Sequence, residues 1–219
     1  MSPLLLFLGT LISVGLATAG YYFRRRTDDL DWQRYRRGLA RNWITLFALG
    51  TLAGLLGTAE DLGLRLQAVE TFIDGTLFGF IAFAGTMLLV GLVFRFVDDL
   101  TLDRGSLVVI KQPRYRRLGV ALTGATVESI VFYGFVLEAI LSRTGEPWLA
   151  GIGATAGLLV ARGRWGYRNV IQWLPGALVL AGIALWARTV IVIVAIRFVY
   201  DSVTLLSADT SDYAVAGDS

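Results

Sequence analysis

Residues 124–135, GATVESIVFYGF, place one carboxylate, Glu128, inside an otherwise apolar run of membrane-spanning length. A charge at bilayer depth is costly unless it faces the interior of a helix bundle or a wet cavity, so such a residue marks a functional site and calls for a partner. Two cations downstream qualify, Arg162 and Arg197, and Asp201 follows the second. Arg197 and Asp201 are four apart, which puts them on one face of a helix within pairing reach. Chemically, a lone Glu can act as a general base and an Arg can stabilise an oxyanion. A guanidinium stays charged, however, and can neither take nor give the proton that activates water. Glu128 and Asp201 are also a poor metal-ligand set beside two cations, and no cofactor or metal is expected.

The rest of the composition narrows the chemistry further. The 219 residues contain no Cys and no His, which removes disulfides, thiolate catalysis and the commonest general base and metal ligand. Lys111 is the one lysine and falls in a polar loop, so no span offers a Schiff-base amine. Hydrophobic residues make up 55% of the chain, glycine occurs 25 times and mean hydropathy is +0.63, values that describe a polytopic membrane protein.

Seven apolar stretches can be placed along the chain, so the expected fold is all-α, a polytopic helical bundle of about seven transmembrane helices. Span one is 3–23; it ends in Arg24-Arg25-Arg26, which reads as a retained anchor and not a cleaved signal. Residues 24–41 hold seven Arg against three Asp with Trp32 and Tyr35 among them, a composition that suits a short helix on the lipid surface or a solvated loop. Spans two to seven are 42–58, about 72–97, 118 to about 141, 148 to about 161, about 170–187 and 190 to about 206. Residues 143–147, RTGEP, predict a tight turn between spans four and five. Trp148, Trp165, Tyr167, Trp173 and Trp186 lie near span ends, where aromatic residues anchor at the interface. The organisation expected is an N-terminal unit of three spans, 1–117, a four-span core, 118–206, and a short acidic disordered tail, 207–219.

Basic residues near span ends number seven in the first loop, five in the third and three in the fifth, against one each in the second, fourth and sixth. The positive-inside rule then sets the expected location: a multi-pass cell-membrane protein with its N-terminus outside and its C-terminus cytoplasmic. On that topology Glu128 lies about 15 Å in from the cytoplasmic end of its span. The same placement explains the basic clusters as orientation signals and contacts for anionic lipid, with no nucleic-acid partner expected.

The second half resembles a known family, the CPBP intramembrane proteases, which include type II CaaX prenyl endopeptidases and bacteriocin self-immunity proteins. The resemblance covers about residues 119–206 and is carried by ATVESIVFYGFVLEAILSRTGEPWLAGIGATAGLLVAR and VIVIVAIRFVYDSVTLL. The family carries EExxxR, FxxxH and HxxxN on successive helices. Matched by position, the first glutamate is Glu128, the second falls on Ser129 and the arginine on Tyr133. The FxxxH positions fall on Leu158 and Arg162, and the HxxxN positions on Arg197 and Asp201. The resemblance implies a four-helix core in which the glutamate and histidines activate water against a peptide bond. Here both histidine positions hold Arg. The expectation is therefore a degenerate, non-proteolytic member in which Glu128, Arg162, Arg197 and Asp201 form an ion-pair network, and which holds membrane lipid, a lipidated peptide or a transmembrane helix of another protein. An active glutamate-dependent endopeptidase is the alternative, and a transporter-like protein, with Pro175 as its one helix-breaking signal, is a second.

Overall fold

Every long element is a helix. The computed structural model describes residues 1–24, 32–97, 108–162 and 167–208. Arg25 and Arg26, Arg164, Trp165 and the acidic tail beyond Ala208 lie outside the described residues. The helices are α1 (Pro3–Arg24), α2 (Trp32–Leu56), α3 (Val69–Val97), α4 (Arg114–Thr144), α5 (Pro147–Arg162), α6 (Tyr167–Ala187) and α7 (Val190–Ser207). No strand is present among the described residues. Five of them, α2, α3, α4, α6 and α7, contain stretches long and apolar enough to cross a membrane. The chain is an integral, multi-pass membrane protein.

Burial ranks the helices. The apolar window of α4 is 67% buried, whereas that of α3 is only 11% buried, so α4 is the axis of the bundle and α3 an outer helix facing lipid. A helix apolar on all sides belongs in a protein core or in lipid; α4 takes the first place, since its Ser129–Phe135 are buried without exception. Around α4 stand α1, α2, α5, α6 and α7, with α3 packed outside α6 and α7. The single apolar core draws on both the N-terminal and C-terminal halves, from Leu5 and Leu49 to Phe135 and Ile193.

Local sequence explains the breaks. Gly145, at φ 69°, closes α4 and Pro147 opens α5, the turn anticipated from RTGEP. At the start of α2 the outcome differs from expectation. The basic segment from Trp32 is not a separate surface helix; it continues without interruption into the second span, because no proline and only one glycine, Gly38, falls between Trp32 and Leu49. Pro175 likewise leaves α6 continuous from Tyr167 to Ala187.

One connection enters the bundle. Residues 57–68 fold back around a short 3₁₀ turn, Ala59–Leu62, with the Thr58 N–H donating to Asp61 at 2.9 Å. Leu62 is buried, and Gly63, at φ 67°, reverses the chain. The Gly63 carbonyl accepts from Val190 N–H at 2.9 Å, the Arg65 carbonyl accepts from the Thr189 hydroxyl at 2.9 Å, and the Gln67 amide donates to the Ala187 carbonyl. Arg65 also pairs with Glu138 at 3.1 Å. This connection therefore stitches α2 and α3 to the α6–α7 turn and to the C-terminal end of α4.

The tightest approach of a glycine to backbone among the described residues is at Gly134, where a Cβ would lie 2.2 Å from the Leu62 carbonyl oxygen. Gly134→Ala is expected to lower stability by about 1–3 kcal/mol through overpacking against a backbone that cannot yield. Gly85→Ala, where a Cβ meets nothing within 4 Å, should be neutral or stabilising. Melting of the two purified variants in detergent distinguishes them; equal melting temperatures would show that the contact is absent.

Candidate functional site

The middle of α4 is not an ordinary α-helix. Gly124–Val136 is wound as a π-helix, with the Leu137 N–H reaching back to the Phe132 carbonyl five residues earlier. Such i→i+5 winding is rare, occurs mostly as single turns, and is frequent at functional sites. Its geometric effect is to widen the helix and bring residues five apart towards one column, so Glu128 and Tyr133 share a side of α4 that strict α-winding would separate.

Glu128 sits at the centre of a charged cluster. Its Oε2 accepts from Arg162 Nη2 of α5 at 2.7 Å and from Arg197 Nη2 of α7 at 2.9 Å. The same Nη2 of Arg197 lies 3.4 Å from Asp201 Oδ2, one turn further along α7. Among the described residues, two carboxylates and two guanidiniums from three helices make up the group. Arg197 is fully buried, whereas Glu128, Arg162 and Asp201 retain between 13 and 17% side-chain exposure, so the cluster is largely enclosed.

The guanidiniums are also framed by an aromatic ring. Trp173 of α6 lies under Arg162, with the guanidinium carbon 3.6 Å from the ring centroid, and 5.7 Å from that of Arg197. A desolvated guanidinium over an indole face is a favourable cation–π arrangement. Gly124 forms the floor: a Cβ there would stand 3.8 Å from Arg197 Nη2 and 3.9 Å from Asp201 Oδ2, so a small residue leaves the pair its room.

The remaining positions singled out by sequence do not join the charged cluster by hydrogen bonds. Ser129 is fully buried and its hydroxyl has no hydrogen-bond partner among the described residues. Tyr133 is buried and donates from its hydroxyl to the Ala177 carbonyl of α6 at 2.9 Å, an oxygen that the Thr155 hydroxyl of α5 approaches at 3.4 Å. Leu158 is a core residue of α5 with no exposed surface. Arg197 has donors to spare, since its Nε and Nη1 find no hydrogen-bond partner among the described residues. No group of three carboxylate side chains able to hold a metal occurs among them either.

Two contributors escape a linear reading. Trp173 was expected at the membrane interface with Trp148 and Trp186; those two are exposed, but Trp173 turns inward against Arg162 and Phe83. The signal available in the sequence was its position six residues into α6, two residues before Pro175. Arg117 is the second. Instead of standing free in a basic cluster it donates to the Leu205 and Ala208 carbonyls at 3.0 and 2.9 Å, to the Gln112 carbonyl at 2.8 Å and to the Ile110 carbonyl. It thereby caps the C-terminus of α7, whose last carbonyls have no partner within the helix, and fixes the helix bearing Arg197 and Asp201. Compared with protein-family models, curated proteins and solved structures, the chain matches none.

A buried cation that loses its place is costlier than one at the rim. Arg197→Met, which removes one of the two described cations from Glu128 and leaves Asp201 with none of the contacts described, should cost about 3–5 kcal/mol. Arg162→Met leaves the Arg197 pair standing and should cost less. Detergent melting of both variants provides the ranking, and a larger loss for Arg162→Met would refute the assignment of Arg197 as the principal anchor.

Proposed function

We propose that this protein is a non-proteolytic membrane binding or scaffold protein, similar in its second half to the CPBP intramembrane proteases, whose charged core locks helices together in place of activating water. The observation that carries the reading is the shared oxygen: Glu128 Oε2 is held at 2.7 and 2.9 Å by two side chains that remain cationic at every working pH. A general base must be able to offer its lone pair to water and then release a proton, and a carboxylate clamped between guanidiniums is poorly placed to do either. Arg162 and Arg197 stand at the two positions where the resemblance places histidine, so the replacement removes the titratable groups and supplies the clamp together.

On this reading the bundle has seven spans, the N-terminus faces outside, and the loops following α1, α3 and α5 face the cytoplasm. What supports the orientation is the excess of Arg in those loops. The cargo is hydrophobic: lipid, a lipidated peptide or the transmembrane helix of another protein, entering from the bilayer against the sparsely buried outer helices. The active-endopeptidase alternative keeps one physical argument, that Arg197, with Nε and Nη1 uncommitted among the described residues, could stabilise an oxyanion.

Two measurements separate the readings. Glu128→Arg alone should strongly destabilise the protein, and adding Arg197→Glu should recover part of the loss, as expected for coupled charges at low dielectric. If single and double variants melt alike, the clamp is not an energetic unit. Incubation of the reconstituted wild type with a membrane-tethered CaaX-type substrate should yield no product; cleavage that vanishes in Glu128→Ala would establish the enzyme instead.

A further inference from the structure

The Arg-rich starts of α2 and α4 come together at one end of the bundle. Residues 32–41 carry Arg34, Arg36, Arg37 and Arg41 with no acid, and residues 108–127 carry four cations, Lys111, Arg114, Arg116 and Arg117, again with no acid. Counting the acids of the adjoining segments leaves the balance positive: seven Arg against three Asp over 24–41, and five cations against three Asp over 98–117. The two segments touch through aromatic rings. Trp32 stacks on Tyr35 at 5.9 Å, and the Arg116 guanidinium lies 5.4 Å from the Trp32 ring and 5.7 Å from that of Tyr115. Arg116 is further held by Gln112 at 2.9 Å. Arg36, one helical turn beyond Trp32, and its neighbour Arg37 are exposed, as are Lys111 and Arg114.

Height in the membrane follows from helix length. The 25 residues of α2 extend roughly 37 Å, more than the roughly 30 Å hydrocarbon core. Its charges all lie at or before Arg41, so the surplus falls at the Trp32 end, at the depth of the headgroups. Stacked aromatics at that depth suit the interface, and the exposed cations Arg36, Arg37, Lys111 and Arg114 can meet the phosphates of the lipid leaflet there.

We propose that the paired starts of α2 and α4 form a binding site for an anionic phospholipid, with Arg36, Arg37, Lys111 and Arg114 holding the headgroup phosphate and the Trp32–Arg116–Tyr115 contact setting their separation. The site is distinct from the Glu128 cluster and does not depend on how that cluster functions. It accounts for aromatic and basic residues that the core leaves unused.

The test uses the full chain in detergent with fluorescent phosphatidylglycerol, with phosphatidylcholine as the neutral comparison. Wild type should bind the anionic lipid preferentially, and the preference should shrink as salt is raised from about 0.1 to about 1 M. The variant carrying Arg36→Gln, Arg37→Gln, Lys111→Gln and Arg114→Gln should lose about tenfold in affinity for phosphatidylglycerol with its affinity for phosphatidylcholine unchanged. Should that variant fail to fold, the salt series on wild type decides alone. Equal affinity for the two lipids, a preference indifferent to salt, full retention by the folded variant, equal competition by soluble glycerol phosphate, or tighter binding of a short oligonucleotide would each overturn the proposal.

Discussion

A single carboxylate oxygen shared by two guanidiniums, in a place where water is scarce, is the constraint that organises this protein. Transferring any one of the three charges alone into such surroundings would be prohibitive, so each helix that contributes a charge is obliged to meet the others. Glu128 belongs to α4, Arg162 to α5 and Arg197 to α7, and Trp173 brings in α6 beneath the cations. In a bilayer, where apolar packing between helices has no hydrophobic driving force behind it, polar contacts of this kind carry specificity that leucine and valine cannot. The cluster thus selects one arrangement of four helices from the many that their apolar surfaces would tolerate.

The shape of α4 follows from the same requirement. A helix enclosed by five neighbours must present useful side chains in several directions, and π-winding over Gly124–Val136 alters which residues share a column. Glu128 faces the cations, while Tyr133 reaches the Ala177 carbonyl of α6. Gly124 and Gly134 lie at the two margins of this stretch, the first leaving space for Arg197 and Asp201, the second admitting the Leu62 carbonyl. Small residues here are steric permissions at defined positions, not a general softness of the chain.

Much of this was legible from residue order because lipid imposes simple rules. Uninterrupted apolar runs gave the helices, Gly145 and Pro147 gave the turn between α4 and α5, and an isolated Glu within an apolar run pointed to partners that had to be cationic. The convergence of Glu128, Arg162, Arg197 and Asp201 could be anticipated from charge economy and i,i+4 spacing. Other features could not. Whether Arg41 ends a surface helix or lies within a longer one depends on the absence of a breaker, a weak signal beside a strong change in polarity. Trp173 resembles any interfacial tryptophan until the neighbouring helices are placed, and the capping role of Arg117 depends on where the far end of α7 arrives, some ninety residues later. The π-winding of α4 has no marker in composition at all.

The connection between α2 and α3 carries one more implication. The Gly63 carbonyl accepts from Val190 N–H, the Arg65 carbonyl accepts from the Thr189 hydroxyl and the Gln67 amide donates to the Ala187 carbonyl, while Arg65 reaches Glu138. The first three helices are thereby fastened to the last four at one end of the bundle by three hydrogen bonds and an ion pair. A chain severed between α3 and α4 would yield two fragments, each carrying one half of the joint by which they dock.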